Sequence, residues 1–267
     1  QMCIRDSLDT GDGQGKIWRT ILVGTTGRGP AKTVYALDIT NPANFDALAQ
    51  SMADPSKPLP KVLLWERSAG DTGACSGTVA ANCSDYIGQM TGAPVIAQIK
   101  DATSTRWVAY LGNGYNSKIN MPALLEFDLA TGALNVRPSV GGTLNDGLAE
   151  PGVAQPDSKT GISTAAYAGD LNGNLWKFDL TSPLGVGSKV FQAVDKNGTA
   201  QPITSLVALS YDSTKGKQST WALFGTGRYF EDNDVTSTQI QTWYGLRVAT
   251  DVTGTSAPTV TSITTQR

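Results

Sequence analysis

The 267-residue chain contains no histidine. A Ser-His-Asp triad, a Cys-His pair, histidine-ligated zinc and a histidine proton relay are therefore excluded together. Carboxylate-only chemistry, as in glycosidases, is not. Charge is scarce: Asp, Glu, Lys and Arg make up 16% of the residues, against about 25% in an average globular chain. The 21 basic and 23 acidic side chains leave a formal net charge of −2. With no basic excess to neutralise phosphates, nucleic acid is not an expected partner. No apolar run approaches the roughly 20 residues of a membrane span, and no signal peptide is visible. The chain opens on Gln, and QMCIRDS fits no pattern found downstream. Residues 1–15 are read as a non-native or linker segment, the first seven as foreign to the domain, and Cys3 is given no weight.

Cysteine is equally scarce, with three in the chain. Cys75 and Cys83 lie in GACSGTVAANCSDY, a stretch of small and polar residues that reads as a surface loop. A disulfide between them would close it by restricting the unfolded chain, and would point to an exported protein. Two unrelated free thiols are the alternative. Two cysteines do not make a four-ligand zinc site.

Repetition is what the chain does have. Four segments share one plan, a short apolar strand ending in glycine, a turn, and a second strand: Ile21–Gly24 with Val34–Asp38, Trp107–Gly112 with Leu124–Asp128, Ala165–Gly169 with Asn174–Asp179, and Trp221–Gly225 with Thr242–Leu246. The turn glycines Gly24, Gly112, Gly169 and Gly225 are spaced 88, 57 and 56 residues apart. The longer first interval holds a Pro-rich stretch and the Cys75–Cys83 loop, so it reads as the same unit with an insertion at about 45–90. Two more strands complete the units. Ala93–Ile99, Leu148–Gln155 and Pro202–Leu209 precede the glycine strand; Val62–Trp65, Leu134–Val136 and Lys189–Ala193 follow the second strand. Helical periodicity is confined to a short stretch near Phe45–Met52.

Four short strands per unit, with Gly/Asn/Asp turns, is the pattern of propeller blades. One such sheet cannot bury both faces alone, and neighbours stacked around an axis cover them. The innermost strand is crowded, which suits Ala93, Ala97, Ala149 and Ala154. A β-sandwich is the alternative, but it would not need motifs recurring at 56 residues. The expected fold is all-β: a propeller of four-stranded antiparallel blades over residues 16–249, forming a partial, open ring of about four to five blades. A Thr/Ser-rich tail follows at 250–267.

WRTILVGTTGRGPAKTVYALDITNP, WVAYLGNGYNS, NDGLAEP, YAGDLNGNLWKFDL, QPITSLVAL and FGTGRYFEDNDVTSTQIQTWYG stand in the order seen in PilY/PilC-type proteins. The chain resembles, over about residues 16–246, the later part of the C-terminal propeller of these type IV pilus biogenesis factors and tip adhesins. The resemblance implies an exported protein of the periplasm, outer membrane or cell surface, a component of the fimbrium. It implies a non-enzymatic module supporting pilus assembly, twitching motility and attachment. The implied partners are pilus components (minor pilins) and a host or abiotic surface.

The resemblance also implies a calcium loop just before the YAGD strand. Here that loop reads from Asp157 through Ser158, Lys159 and Thr160 to Thr164. Asp157 is its only carboxylate, Lys159 places a cation inside it, and Thr164 stands where the family has a closing Asp. Calcium takes six to eight oxygen ligands. The candidate ligands Asp157, Ser158, Thr160 and Thr164 fit a polar turn better, and no cofactor is otherwise expected.

Other candidates have plainer readings. Asp9-Thr10-Gly11-Asp12-Gly13 imitates part of a calcium loop but lacks a closing acid, and reads as a solvated turn. Glu231-Asp232-Asn233-Asp234 reads as an exposed polar loop whose charges repel unless screened. Asp38, Asp128 and Asp179 recur at the end of the second strand, and repetition argues for Asx-turns. Trp65, Trp107, Trp176, Trp221 and Trp243 read as inter-blade packing. Arg28 and Arg228 in glycine turns look like solvated cations. Two other functions compete with the pilus module. Asp128-Leu129-Ala130-Thr131-Gly132 resembles the Asp-x-x-Thr-Gly of quinoprotein propeller enzymes, and a glycan-binding propeller is the third reading.

Overall fold

The computed structural model describes the chain apart from residues 1, 12, 59, 74, 76–81, 101–103, 143–145, 183–184, 213–218, 251–264 and 267. Among the described residues, sixteen strands form four antiparallel sheets, each in simple sequential order. Blade 1 holds β1 (Met2–Leu8), β2 (Ile17–Thr25), β3 (Thr33–Asp38) and β4 (Leu63–Ser68). Blade 2 holds β5 (Val95–Lys100), β6 (Thr105–Gly112), β7 (Ala123–Asp128) and β8 (Leu134–Pro138). Blade 3 holds β9 (Gly152–Ala154), β10 (Ala165–Gly169), β11 (Asn174–Asp179) and β12 (Ser188–Gln192). Blade 4 holds β13 (Ala208–Asp212), β14 (Ser219–Gly225), β15 (Thr242–Thr250) and β16 (Thr265–Gln266). The helical periodicity becomes α1 (Ala43–Ala53), inserted between β3 and β4.

The blades stack because each strand sends alternate side chains to opposite neighbours. In β6, Ala109 and Leu111 join Ile21, Val23, Val34 and Trp65 of blade 1 in one buried cluster. Val108 and Tyr110 of the same strand join Ala166, Ala168, Trp176 and Phe178 of blade 3 in a second. A third cluster couples Tyr167 and Leu175 of blade 3 to Phe224, Tyr244 and Leu246 of blade 4. Strands at the middle of the stack are therefore apolar on both faces; β10 is buried at every residue. The end blades are not: Trp18 of β2 is 63% exposed and Trp243 of β15 is 56% exposed. Of the first strands, β9 lies against both β5 and β13, on the crowded inner side, and Ala97, Ala149 and Ala154 are buried there as expected. Ala93 is exposed.

Three expectations are displaced. Met2–Leu8, set apart with residues 1–15, pairs antiparallel with β2 as the first strand of blade 1. The first strand of blade 4 begins at Ala208 rather than Pro202. Proline has no N–H for a ladder, and Ile203 instead donates back to the Asp170 carbonyl. The 250–267 tail lies mostly outside the described residues, but Thr265 and Gln266 pair with Trp243 and Thr242. No helix among the described residues is long and apolar enough to cross a membrane.

Candidate functional site

Strand direction divides the loops between two faces. In every blade the turn from second to third strand, and the crossover to the next blade, fall on one face, here the loop face. The remaining connections fall on the other. On the loop face the turns close by a shared device. The residue beginning the turn donates its N–H to the residue starting the third strand and accepts that residue's N–H on its side-chain oxygen. Thr26 does this with Thr33, Asn113 with Ala123, Asp170 with Asn174, and Thr226 with Thr242. The preceding glycine has its own reason at two blades. A Cβ on Gly112 would collide with the carbonyl oxygens of Leu148 and Ala149, and one on Gly169 with Ile203. The crossovers press directly on the turn.

The turn of blade 4, residues 226–241, reaches across this face. Arg28 of blade 1 donates from Nη2 to the Phe230 carbonyl oxygen at 2.6 Å and lies 5.4 Å over the Phe230 ring. The Tyr115 ring of blade 2 packs against the same ring, centroids 4.5 Å apart. Gln89 donates to the Arg28 carbonyl oxygen, Asn116 to the Gln89 side chain, and Lys32 to the Asn116 carbonyl oxygen. The acidic run inside this turn folds as a single 3-10 turn, Asp232–Thr236, with a capping box. Asp234 accepts from the Phe230 and Glu231 amides and from Arg228. The backbone donors and Arg228 hold its carboxyl low, at about 2. Arg228 and Asp234 also line a cleft of about 240 Å³ with Pro202, Gln239 and Gln241. Both arginines read as solvated cations are thus committed to named partners.

Two buried acidic arrangements escape sequence reading. Glu126 of β7 is fully buried and accepts from Arg137 (3.0 and 2.8 Å), Arg106 (2.5 Å) and the Tyr110 hydroxyl (2.8 Å). Burial alone would raise its carboxyl, but Arg137 and then the Arg106 and Tyr110 hydrogen bonds bring it below the usual range. Arg137 also donates to the Asp179 and Ser182 carbonyl oxygens, tying blade 2 to blade 3. At the loop face of the same junction lie Asp146, on the crossover into blade 3, and Asp170, opening the blade 3 turn; both are buried. The signal for Asp170 was its place directly after a repeat glycine. Nothing local marks Asp146 or Glu126 as buried.

On the opposite face the recurrent acids close turns. Asp38 Oδ1 accepts from the Thr40 amide, Asp128 from Ala130 and Thr131, and Asp179 from Thr181. The quinoprotein-like Asp128–Gly132 run is such a turn, with Gly132 at φ +68 pressed on Trp65. The 157–164 loop is also a turn. Asp157 Oδ1 accepts from the Lys159 amide, its carbonyl from Gly161, and the loop residues 157–160 are exposed. One carboxylate, already hydrogen-bonded, beside a lysine is a donor set that does not fit calcium. In the other imitation, Asp9 caps the Gly11 amide, while Asp12 lies outside the described residues. Cys75 and Cys83 form a disulfide, Cα–Cα 4.7 Å, with both cysteines packed on the blade 1–blade 2 cluster. Trp65 stacks on Phe127 at 5.5 Å and donates to the Leu129 carbonyl oxygen; it packs between blades, as Trp176 does, whereas Trp243 does not.

These four sheets of antiparallel strands, with Glu126, Asp170 and the recurrent aspartates engaged at turns and junctions, define a β-propeller. The chain belongs to the PilY1 β-propeller family: the model described as "PilY1 beta-propeller domain" matches residues 4–267. It is 34% identical over 230 residues to a type IV pilus biogenesis factor PilY1 homolog of Xylella fastidiosa, covering 86% of this chain and 16% of that protein. It is 31% identical over 259 residues to type IV pilus biogenesis factor PilY1 of Pseudomonas aeruginosa strain PAO1, covering 87% of this chain and 19% of that one. The crystal structure of the Pseudomonas aeruginosa PilY1 C-terminal domain superposes with a TM-score of 0.69 at 29% identity, over 92% of this chain and 48% of that chain. The chain therefore spans under a fifth of these curated relatives and about half of the solved domain.

Proposed function

We propose that this chain is a non-enzymatic propeller module of a type IV pilus assembly and tip-adhesin protein, exported to the periplasm, outer membrane or cell surface at the pilus, where it supports pilus biogenesis, twitching motility and attachment. Its partners on this reading are minor pilins and a host or abiotic surface. The observation that carries the reading is the family match along 4–267, to proteins named as pilus biogenesis factors. The frame is consistent with it. The carboxylates that recur in the blades accept turn amides, and the buried Glu126 is saturated by two arginines and a tyrosine. The quinoprotein alternative loses its motif to the Asp128 turn.

Deleting this segment from the gene of a pilus-bearing host tests the reading. The expected result is loss of surface pili and twitching in cells that retract pili, with pili regained in cells that cannot. Normal piliation of the retracting strain would overturn it.

A further inference from the structure

The chain has no histidine, so none of its side chains ordinarily changes charge near neutral pH. Yet one pair of carboxylates stands where such a change would act on the frame. Asp146 is 1% exposed and Asp170 is fully buried. They sit on two elements that meet at the blade 2–blade 3 junction. Asp146 Oδ1 accepts from its neighbour Gly147 and from Leu171 of the blade 3 turn, and Oδ2 accepts from the Asn172 side chain at 2.5 Å. Asp170 accepts from the Asn172 and Asn174 amides, the Asn174 side chain and the Trp176 indole at 2.7 Å. Every donor in this account is neutral.

Among the described residues, the ionisable groups that face the pair bring no unpaired positive charge. On the turn of blade 3 it is Asp170 itself. On the turn of blade 2 it is Tyr115, whose hydroxyl is raised by burial and by both aspartates. Lys118 of that turn is held by Asp85. Glu150, on the same crossover as Asp146, is turned to the Ala93 amide. Two like charges share a buried junction, and the hydrogen-bond donors named above that oppose their repulsion are neutral.

We propose that Asp146, buried beside Asp170, forms a proton-dependent fastening between blades 2 and 3, tight while Asp146 holds a proton and loosened when it is charged next to Asp170. Burial first, and then Asp170, raise the Asp146 carboxyl from 3.8 to about 7. Its folded value thus lies above its unfolded one, so the folded chain keeps a proton that the unfolded chain releases. The stability this gives is fully present below about pH 4 and is lost as pH rises through about 7. A loosened junction would free the Leu171 amide and the turn that rests on it.

Thermal unfolding of the chain from pH 5 to 8.5, beside Asp146→Asn, tests the proposal. Asparagine has the shape of the protonated acid and keeps an acceptor for Gly147 and Leu171. The wild-type melting temperature is expected to fall by about 5–10 °C across that range, and the variant to lose most of that fall and exceed wild type at pH 8.5. Parallel profiles would overturn the proposal. Infrared difference spectra of the wild-type chain between pH 6 and 8.5 make the test independent of the variant's folding. Loss of one protonated carboxyl with a midpoint near 7 supports the fastening, and no such loss refutes it.

Discussion

Arg28 and Phe230, 202 positions apart in the sequence, meet as a guanidinium over a ring at 5.4 Å, with a 2.6 Å hydrogen bond from the same arginine to the phenylalanine carbonyl. The contact joins the first blade to the fourth without any sheet between them. It rests on the long 226–241 turn, whose Phe230 ring also packs against Tyr115 of blade 2.

Arg28→Ala removes the cation and the hydrogen bond together. An exposed cation–π contact contributes about 0.5–1 kcal/mol, so the melting temperature should drop by only a few degrees. Amide exchange in the 226–241 turn should quicken while β6 and β10 stay protected. Unchanged exchange in that turn would show that the contact does not hold it.

Arg137→Met is expected to act far more strongly. It strips the buried Glu126 carboxylate of its best partner and removes the guanidinium hydrogen bonds to the Asp179 and Ser182 carbonyl oxygens. Breaking a buried ion pair from one side costs about 3–5 kcal/mol. Denaturant unfolding should show a loss of that size. A loss under about 1 kcal/mol would mean that Arg106 and Tyr110 suffice.

Reduction of the Cys75–Cys83 disulfide, or Cys75→Ser with Cys83→Ser, opens a short loop. Loop-closure entropy puts the effect at about 2–3 kcal/mol. Chemical denaturation with and without reductant measures it, and equal midpoints would contradict a stabilising role.

Calcium should leave the chain unaffected at the 157–164 turn. Titration calorimetry is expected to show no binding that Asp157→Ala abolishes. Tight binding lost in that variant would overturn the reading of the turn.

The blades were legible because their cause is local and repeated. A glycine that must clear a crossover, an alternating strand and an aspartate that caps the next turn recur together at Gly112, Val108–Leu111 and Asp128, and again at Gly169, Ala165–Ala168 and Asp179. The Asx-turns of Asp38, Asp128 and Asp179 are legible for the same reason, since an Asx-turn is decided within three residues. The junction acids were hidden because nothing near Glu126 or Asp146 in sequence says that a neighbouring blade will bury it. Arg28 was unreadable in the same way: its partner lies on another blade. Trp243 shows the converse error, since its strand was recognised but which of its faces would be covered depends on a neighbour that the repeat alone does not locate.

The central claim is that the recurrent acids are fasteners of a scaffold rather than chemical groups. The double variant Asp128→Asn with Asp179→Asn, expressed in the full-length protein in a retracting, pilus-bearing host, tests it most directly, because asparagine keeps the turn-capping oxygen and discards the charge. Counts of surface pili by electron microscopy should match wild type. A folded variant, with an unaltered melting temperature, that left the cells without pili would contradict the account.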